Sequence, residues 1–343
     1  LEIVERLVKP ERTRVDEHGN FALRSPLPQR WWHYADKRPA LYRTIAPLER
    51  VMGIVLHTKG YYISFVERGT VYSHALAIFA LEAKSIYSLL CSSFSEYWAW
   101  KNCSTLGSGL RYTPSSAFET FPFPPGFEPN RDLGVSVPLC EASSHPSHKD
   151  ATAQREIGTA NETRTSSVSP GDASLHDRLE NLGERLDADR REIMLKLDIG
   201  LTKLYNLYHN PDLSVPAVVK EAKCPEADAS WAVEKITALR TLHKTIDETV
   251  RDAYLWHDIP LQHGFHELEF LPENDRVRYT ISTPARKAIL SELLKLNHAR
   301  HAEEVAAGLV DENGKVLKKN SHGATKAAKK KKVVKDEGQG EMF

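Results

Sequence analysis

The chain has 343 residues, with 46 basic and 46 acidic side chains and a hydrophobic content of 41%. This hydrophobic content is enough to build cores, and the length suggests two domains of about 150 residues each. No apolar run approaches the roughly 18 residues needed to cross a bilayer, so the composition excludes a membrane protein. Because Glu2, Glu5 and Arg6 interrupt any early apolar segment, we expect no secretory signal peptide and a cytoplasmic protein.

The four cysteines are widely spaced and form no CxxC pair; they are Cys91, Cys103, Cys140 and Cys224. This spacing is typical of reduced thiols and does not indicate a disulfide framework or a zinc site.

Charge is unevenly distributed along the chain. Residues 1–125 carry a net charge of +4 and residues 313–343 a net charge of +6, whereas residues 126–312 carry −10. A surface that faces DNA needs cations to displace the counterions of the phosphates. The first third and the Lys-rich tail are therefore the candidate DNA-facing parts, although such a tail also serves simply to keep a protein in solution.

In chain order, residues 1–50 contain short mixed elements punctuated by prolines. Strands are predicted at 51–57, 61–67 and 70–79, with turns at 58–60 and 68–69, and together they indicate an antiparallel meander. Apolar residues at helical spacing then predict one helix over 83–102. A Gly/Ser-rich loop over 104–109 follows, and an aromatic segment over 118–125 comes after it.

Residues 128–172 are rich in Ser, Thr and Pro and show almost no apolar periodicity, which predicts a flexible linker. Apolar residues at helical spacing predict helices over 175–197, 201–208 and 232–253, and another that starts at Thr283 and Pro284. We therefore predict an α+β protein. An antiparallel-sheet domain occupies 1–127, a linker 128–172, an α-helical domain 173–312 and a disordered tail 313–343.

Two stretches resemble motifs that carry chemistry. Gly107-Ser108-Gly109 lacks the third glycine of a nucleotide-binding loop and follows a helix, so we interpret it as a flexible loop. Pro211-Asp212 followed by Glu221-Ala222-Lys223 matches the spacing of a nuclease metal site. A metal-dependent nuclease that uses Asp212, Glu221 and Lys223 is therefore an alternative function, against the interpretation of this stretch as a polar loop between helices.

Histidines give a weaker signal. His257, His263 and His266 have no tight ligand spacing and are interpreted as surface or capping residues. His243 lies on the apolar face of its predicted helix and is interpreted as a hydrogen-bonded core histidine. The leucines that start at Leu175 indicate packing within a helical bundle or, alternatively, a dimerising coiled coil. A protein-interaction module built on this helical bundle is a further alternative function.

The most specific stretch is 94–125, which reads FSEYWAWKNCSTLGSGLRYTPSSAFETFPFPP. This stretch resembles the end of the target-recognition domain in single-chain, type II restriction–modification enzymes of the MmeI-like class and their adenine-N6 methyltransferase relatives. Further similarity lies in Arg30-Trp31-Trp32, His57-Thr58-Lys59 and Leu204-Tyr205-Asn206-Leu207-Tyr208. It covers about two thirds of the chain, outside the linker and the tail.

The resemblance implies a role in phage defence, with double-stranded DNA as the partner. In this family an upstream domain binds S-adenosylmethionine and holds the target adenine with an Asn-Pro-Pro-Tyr-type motif. Neither that motif nor a cofactor loop is found in this sequence, so we expect no catalytic, cofactor or metal residues here. The chain begins with Leu1, and we expect it to be the back part of a longer enzyme or a separate subunit that works with a methyltransferase domain.

Side chains suited to DNA contact are concentrated in the predicted loop 101–111 and at one hairpin tip. The candidates are Lys59, Lys101, Asn102, Ser104, Thr105, Arg111, Tyr112 and Thr113. Arg111 is the candidate for reading a guanine, and the alternative is a structural ion pair with Glu119 or Glu96. Tyr112 either stacks or packs in a core, and Lys59 either contacts phosphate or faces solvent.

Overall fold

The structure is a computed structural model that describes residues 2–33, 38–107, 109–129 and 170–311, with side chains from 175 onward in the last range. Residues 1–295 form one compact unit, and residues 296–343 form a second unit. The predicted tail and most of the predicted linker lie outside the described residues, and so does Cys140. None of the described helices is long and apolar enough to span a membrane.

Helices and short antiparallel sheets are both present, so the α+β class is confirmed. The helices in chain order are α1 (Glu2–Leu7), α2 (Lys9–Thr13), α3 (Pro39–Ile45), α4 (Lys84–Leu90), α5 (Ser93–Asn102), α6 (Pro114–Ala117), α7 (Pro170–Leu197), α8 (Leu201–Tyr208), α9 (Val215–Ala222), α10 (Glu226–Ala253) and α11 (Thr283–Ala306). The strands are β1 (Arg50–Val55), β2 (His57–Thr58), β3 (Ser64–Glu67), β4 (Leu76–Phe79), β5 (Ser104–Leu106), β6 (Gly109–Arg111), β7 (Gly264–Glu267) and β8 (Val277–Thr280).

The first sheet has the strand order β3-β1-β4, with both neighbours antiparallel to β1. The predicted meander is therefore wrong, because a meander would place the second strand in the centre, whereas here the first strand lies there. Val51, Met52 and Ile54 are buried along β1, which explains why this apolar strand takes the central position and is covered on both faces.

The second sheet has the strand order β2-β6-β5. It continues from the first sheet through Leu56, whose N–H donates to Ala75 and whose carbonyl accepts from the N–H of Tyr112. The predicted Gly/Ser loop over 104–109 is wrong, since this stretch contributes the hairpin β5–β6. Small residues left no period-2 apolar pattern there, so the strands gave no signal in the sequence.

Helices α4 and α5 are buried on most of their surface. The single helix predicted over 83–102 is broken at Cys91 and Ser92, and each half has its own N-terminal partner from a distant helix. Glu180 of α7 accepts from the N–H groups of Lys84 and Ser85, at 3.2 and 2.7 Å. A carboxylate placed at a helix start satisfies N–H groups that have no partner within the helix.

Asp247 of α10 caps the N-terminus of α5 in the same way. This buried carboxylate accepts from the backbone N–H of Ser93 at 2.8 Å and from its hydroxyl at 2.6 Å. His263 is hydrogen-bonded to the same carboxylate through Nε2 at 2.9 Å. Ser93 and His263 both contact the carboxylate and not each other, so this cluster is a helix cap and lacks the serine–histidine contact of a nucleophilic triad.

The second half of the chain is helical at α7, α8, α10 and α11, as predicted. It also contains the hairpin β7–β8, which the sequence analysis missed, with Phe265 opposite Tyr279. Helix α9 was missed as well. His243 Nε2 is hydrogen-bonded to the Tyr205 hydroxyl at 2.7 Å, and that hydroxyl also accepts from the buried Arg190. His243 is thus the hydrogen-bonded core histidine that was expected.

Candidate nucleic-acid interface

The second sheet brings together residues that lie far apart in the sequence. In its register His57 of β2 is opposite Arg111 of β6, and Arg111 is opposite Ser104 of β5. Directly opposed residues of neighbouring strands project from the same face of a sheet. His57, Arg111 and Ser104 are all exposed, so this face presents a row of polar side chains to solvent.

The opposite face of the second sheet anchors it to the core. Leu110 lies between Thr58 and Thr105 in the register and is fully buried. Alternation along β6 therefore directs Leu110 inward and Arg111 outward. Leu106 lies opposite Gly109, on the same face as Arg111, and is 62% exposed.

The segments that form the second sheet contain cationic side chains and no acidic ones. Between Val51 and Val66, and again between Tyr97 and Phe118, there is no Asp or Glu. Lys59 follows β2 directly, and Lys101 lies in the last turn of α5, before β5. These segments thus carry the sign of charge that polyphosphate binding requires.

Arg111 makes no ion pair with Glu119 or Glu96 in the part of the chain that the structure describes. Within the same residues, Lys59 and Lys101 have no hydrogen-bonded or ion-paired partner. Asn102 uses its amide nitrogen to cap its own helix, donating to the carbonyl of Trp98 at 2.9 Å. Its amide oxygen remains for another donor.

Two of the predicted contact residues have structural roles. Tyr112 is 3% exposed and packs against Tyr61 and Phe79, with ring centroids 6.0 and 6.3 Å apart. The packing interpretation of Tyr112 therefore fits, because its ring has no free face for a base. Thr113 precedes α6, and its N–H donates to the sulfur of Cys103 at 3.2 Å.

The aromatic segment after the sheet is buried, as expected of an anchor. Phe118, Phe121 and Phe123 are each at most 6% exposed. The indole N–H of Trp98 donates to Thr120, which ties this segment to α5. The hairpin β5–β6 is thus held at both ends, by α5 before it and by these phenylalanines after it.

His57 and Leu106 were missed as candidates. Their position beside Arg111 depends on a strand pairing between residues more than forty positions apart, or on a hairpin that the sequence does not reveal.

The three residues of the alternative metal site lie on and around α9. Asp212 lies in the connection after α8, Glu221 lies in the last turn of α9, and Lys223 follows that helix in a left-handed conformation. The predicted polar loop is thus partly helix. Among the described residues, no three His, Cys, Asp or Glu side chains come together to hold a metal ion, and Cys91, Cys103 and Cys224 are unpaired.

Comparison with protein-family models, with curated proteins and with solved structures finds no match to this chain.

Proposed function

We propose that this chain binds double-stranded DNA and reads its sequence through the exposed face of the second sheet. The observation that supports this most is the register that aligns His57, Arg111 and Ser104 on one exposed face. Three strands at about 4.8 Å spacing make a sheet about 10 Å wide. The major groove of B-DNA is about 12 Å wide and admits a two-stranded β-ribbon such as β5–β6.

Four exposed residues have distinct roles in this proposal. The guanidinium of Arg111 binds O6 and N7 of a guanine through two parallel hydrogen bonds. Leu106 contacts an apolar feature of the groove such as a thymine methyl group. Lys59 and Lys101 hold backbone phosphates on either side, which fixes the position of the duplex without reading it.

The wider assignment rests on the resemblance of residues 94–125 to a target-recognition domain. On this basis the chain is the DNA-reading portion of an adenine-specific methyltransferase of a restriction–modification system. S-adenosylmethionine and the catalytic motif then belong to a methyltransferase domain, either in the same polypeptide or in a separate chain.

Binding of a mixed-sequence duplex by the full chain, followed by fluorescence anisotropy between about 50 and 200 mM salt, tests the proposal. We expect the logarithm of the binding constant to fall linearly with the logarithm of salt concentration. Lys59→Ala and Lys101→Ala should each weaken binding to all sequences and reduce the slope by about one.

The matched control is Lys287→Ala, which removes an exposed lysine of α11 and should leave the slope unchanged. Absence of duplex binding at low salt would refute the proposal. An equal effect of all three substitutions would show that the second sheet is not the binding surface.

A further inference from the structure

A groove of about 450 Å³ opens beside Lys59, at the end of β2. Its walls come from the connection between β2 and β3, from α8 and the residues after it, and from the turn before β8. A smaller pocket of about 20 Å³ shares Lys59, Tyr62, His209 and Arg278 with it. The volume of the groove lies within the range of about 300–1,000 Å³ that small-molecule sites occupy.

Tyr62 gives the groove a rigid aromatic wall. Its ring stacks on Tyr205 with centroids 4.7 Å apart and an angle of 27°. Gly60 lies so close that an added Cβ would come within 2.2 Å of the Tyr62 ring. Burial raises the pKa of Tyr62 to about 12, so the ring is a neutral phenol at any physiological pH.

His209 adds a hydrogen-bond donor, its Nε2–H, to the groove. Its Nδ1 accepts from the backbone N–H of Tyr279 at 3.2 Å. Burial, together with nearby Arg278, holds the pKa of His209 well below its usual value, so the ring is neutral. A neutral imidazole whose Nδ1 is an acceptor carries its proton on Nε2. Among the described residues, no acceptor is hydrogen-bonded to this Nε2–H.

Neutral polar side chains complete the lining. Asn206 and Asn274 are exposed in the groove, and each amide offers both donors and an acceptor. One amide N–H of Asn206 also donates to the carboxylate of Glu221 over a long distance of 3.4 Å. Thr202 adds a hydroxyl. Adjacent donors and acceptors beside a flat ring are the features that recognise the edge and the face of a nucleobase.

The charges in the groove favour a ligand with one anionic end. Arg278 is occupied by Asp275, donating from Nε to its backbone carbonyl at 2.8 Å and lying 3.5 Å from its carboxylate. Lys59 is unpaired within the described residues. Glu273 also lines the groove, which disfavours a ligand that is anionic throughout. A single phosphate at Lys59 and a neutral body elsewhere satisfy both conditions.

We propose that this groove binds one nucleotide, with its base against Tyr62, the base edge on His209, Asn206 and Asn274, and its phosphate on Lys59. The nucleotide is either an unpaired residue of the DNA held on the second sheet or a free mononucleotide. The first source rests on the proposed function, whereas the second does not. Because Lys59 belongs to both surfaces, an unpaired nucleotide would leave the duplex directly into the groove.

Titration of the full chain with each of the four deoxynucleoside monophosphates, followed by NMR, tests the groove itself. We expect saturable binding of at least one. The double variant Asn206→Ala, Asn274→Ala should weaken that binding at least tenfold. The control Asn181→Ala, an exposed position of α7 outside the groove, should have no effect.

A photocrosslinking experiment distinguishes an unpaired nucleotide of bound DNA from a free mononucleotide. It uses a duplex that carries the preferred base as an unpaired, photoreactive halogenated analogue. Crosslinking to Tyr62 is the result expected for the DNA source, while mononucleotide binding without this crosslink assigns the groove to free nucleotides. Mononucleotide binding without any duplex binding would refute the proposed function and leave the groove assignment intact. Duplex binding that depends on Lys101, with neither mononucleotide binding nor a Tyr62 crosslink, would overturn the groove assignment alone.

Discussion

Arg111 and Tyr112 are neighbours in the sequence, yet Arg111 is exposed whereas Tyr112 is buried, with 3% of its surface exposed. Strand alternation separates them, since Leu110 and Tyr112 both point into the core while Arg111 points to solvent. Interpreted as part of a loop, Arg111 and Tyr112 are both predicted to contact DNA. Recognising residues 109–111 as a strand that runs on, extended, into Tyr112 would have predicted the outward position of Arg111 and the packing of Tyr112.

Glu96 illustrates a residue whose behaviour depends on distant packing. Burial raises the pKa of Glu96 to about 7, with nearby Arg278 acting in the opposite direction and Asp247 in the same one. In the unfolded chain a glutamate titrates near pH 4.3. The folded state therefore binds a proton that the unfolded state releases, and stability falls as pH rises between these two values.

We predict that Glu96→Gln removes this loss of stability. Between about pH 4.5 and pH 7 the free energy of unfolding of the wild type should decline relative to that of the variant, by roughly 2–3 kcal/mol in total. Urea unfolding of both proteins at pH 5 and pH 8 measures the difference. Glu119→Gln, at an exposed carboxylate of the same region, is the control. A wild-type to Glu96→Gln difference that stays constant with pH would contradict the account.

At the scale of elements, the long amphipathic helices α7 and α10 could be predicted because their apolar spacing extends over several turns. The break between α4 and α5 could not. The starts of these two helices are capped by Glu180 and Asp247. These carboxylates lie 95 and 154 residues along the chain from the N–H groups that donate to them. The pairing of β2 with β6 is similarly invisible, because a strand of two residues has no periodicity.

Gly183 provides a test of how α4 and α7 pack. A Cβ added at this position in α7 would lie 2.1 Å from the carbonyl oxygen of Lys84 and 2.7 Å from the hydroxyl of Ser88. Helix propensity alone favours alanine over glycine by about 1 kcal/mol. Because the nearest atom is backbone, we expect the packing cost to win and Gly183→Ala to destabilise the chain by roughly 1–3 kcal/mol.

The control variant is Asn181→Ala, at an exposed position two residues earlier on α7. There the higher helix propensity of alanine is not offset by a packing clash. Thermal unfolding should give a lower Tm for Gly183→Ala and an equal or higher Tm for Asn181→Ala. A higher Tm for Gly183→Ala would mean that α4 and α7 are not in the close contact described here.

At the scale of the whole molecule, the predicted division into domains at 128–172 remains a prediction. Residues on both sides of this stretch belong to the same compact unit, which extends to residue 295. Ser88 donates to the carbonyl of Leu179 at 2.7 Å, and Tyr254 donates to that of Pro122 at 2.9 Å. These buried hydrogen bonds join the two parts without the connecting chain.

We therefore predict that cleavage between residues 130 and 169 leaves the two parts associated. A specific protease site introduced into this stretch allows complete cleavage, and size-exclusion chromatography then reports whether the fragments elute together. Co-elution as one peak is expected without denaturant, since separation would expose the buried faces of α4 and α5. Elution as two folded fragments would instead support two independent domains.

The measurement that tests the central claim most directly is a binding-site selection on the wild type and on Arg111→Ala, with melting curves of both. If Arg111 reads a guanine, its loss relaxes the preference at one base position, costs about 1–3 kcal/mol of binding free energy and leaves the Tm unchanged. An unchanged base preference together with a lowered Tm would contradict the account and make Arg111 a structural residue of the second sheet.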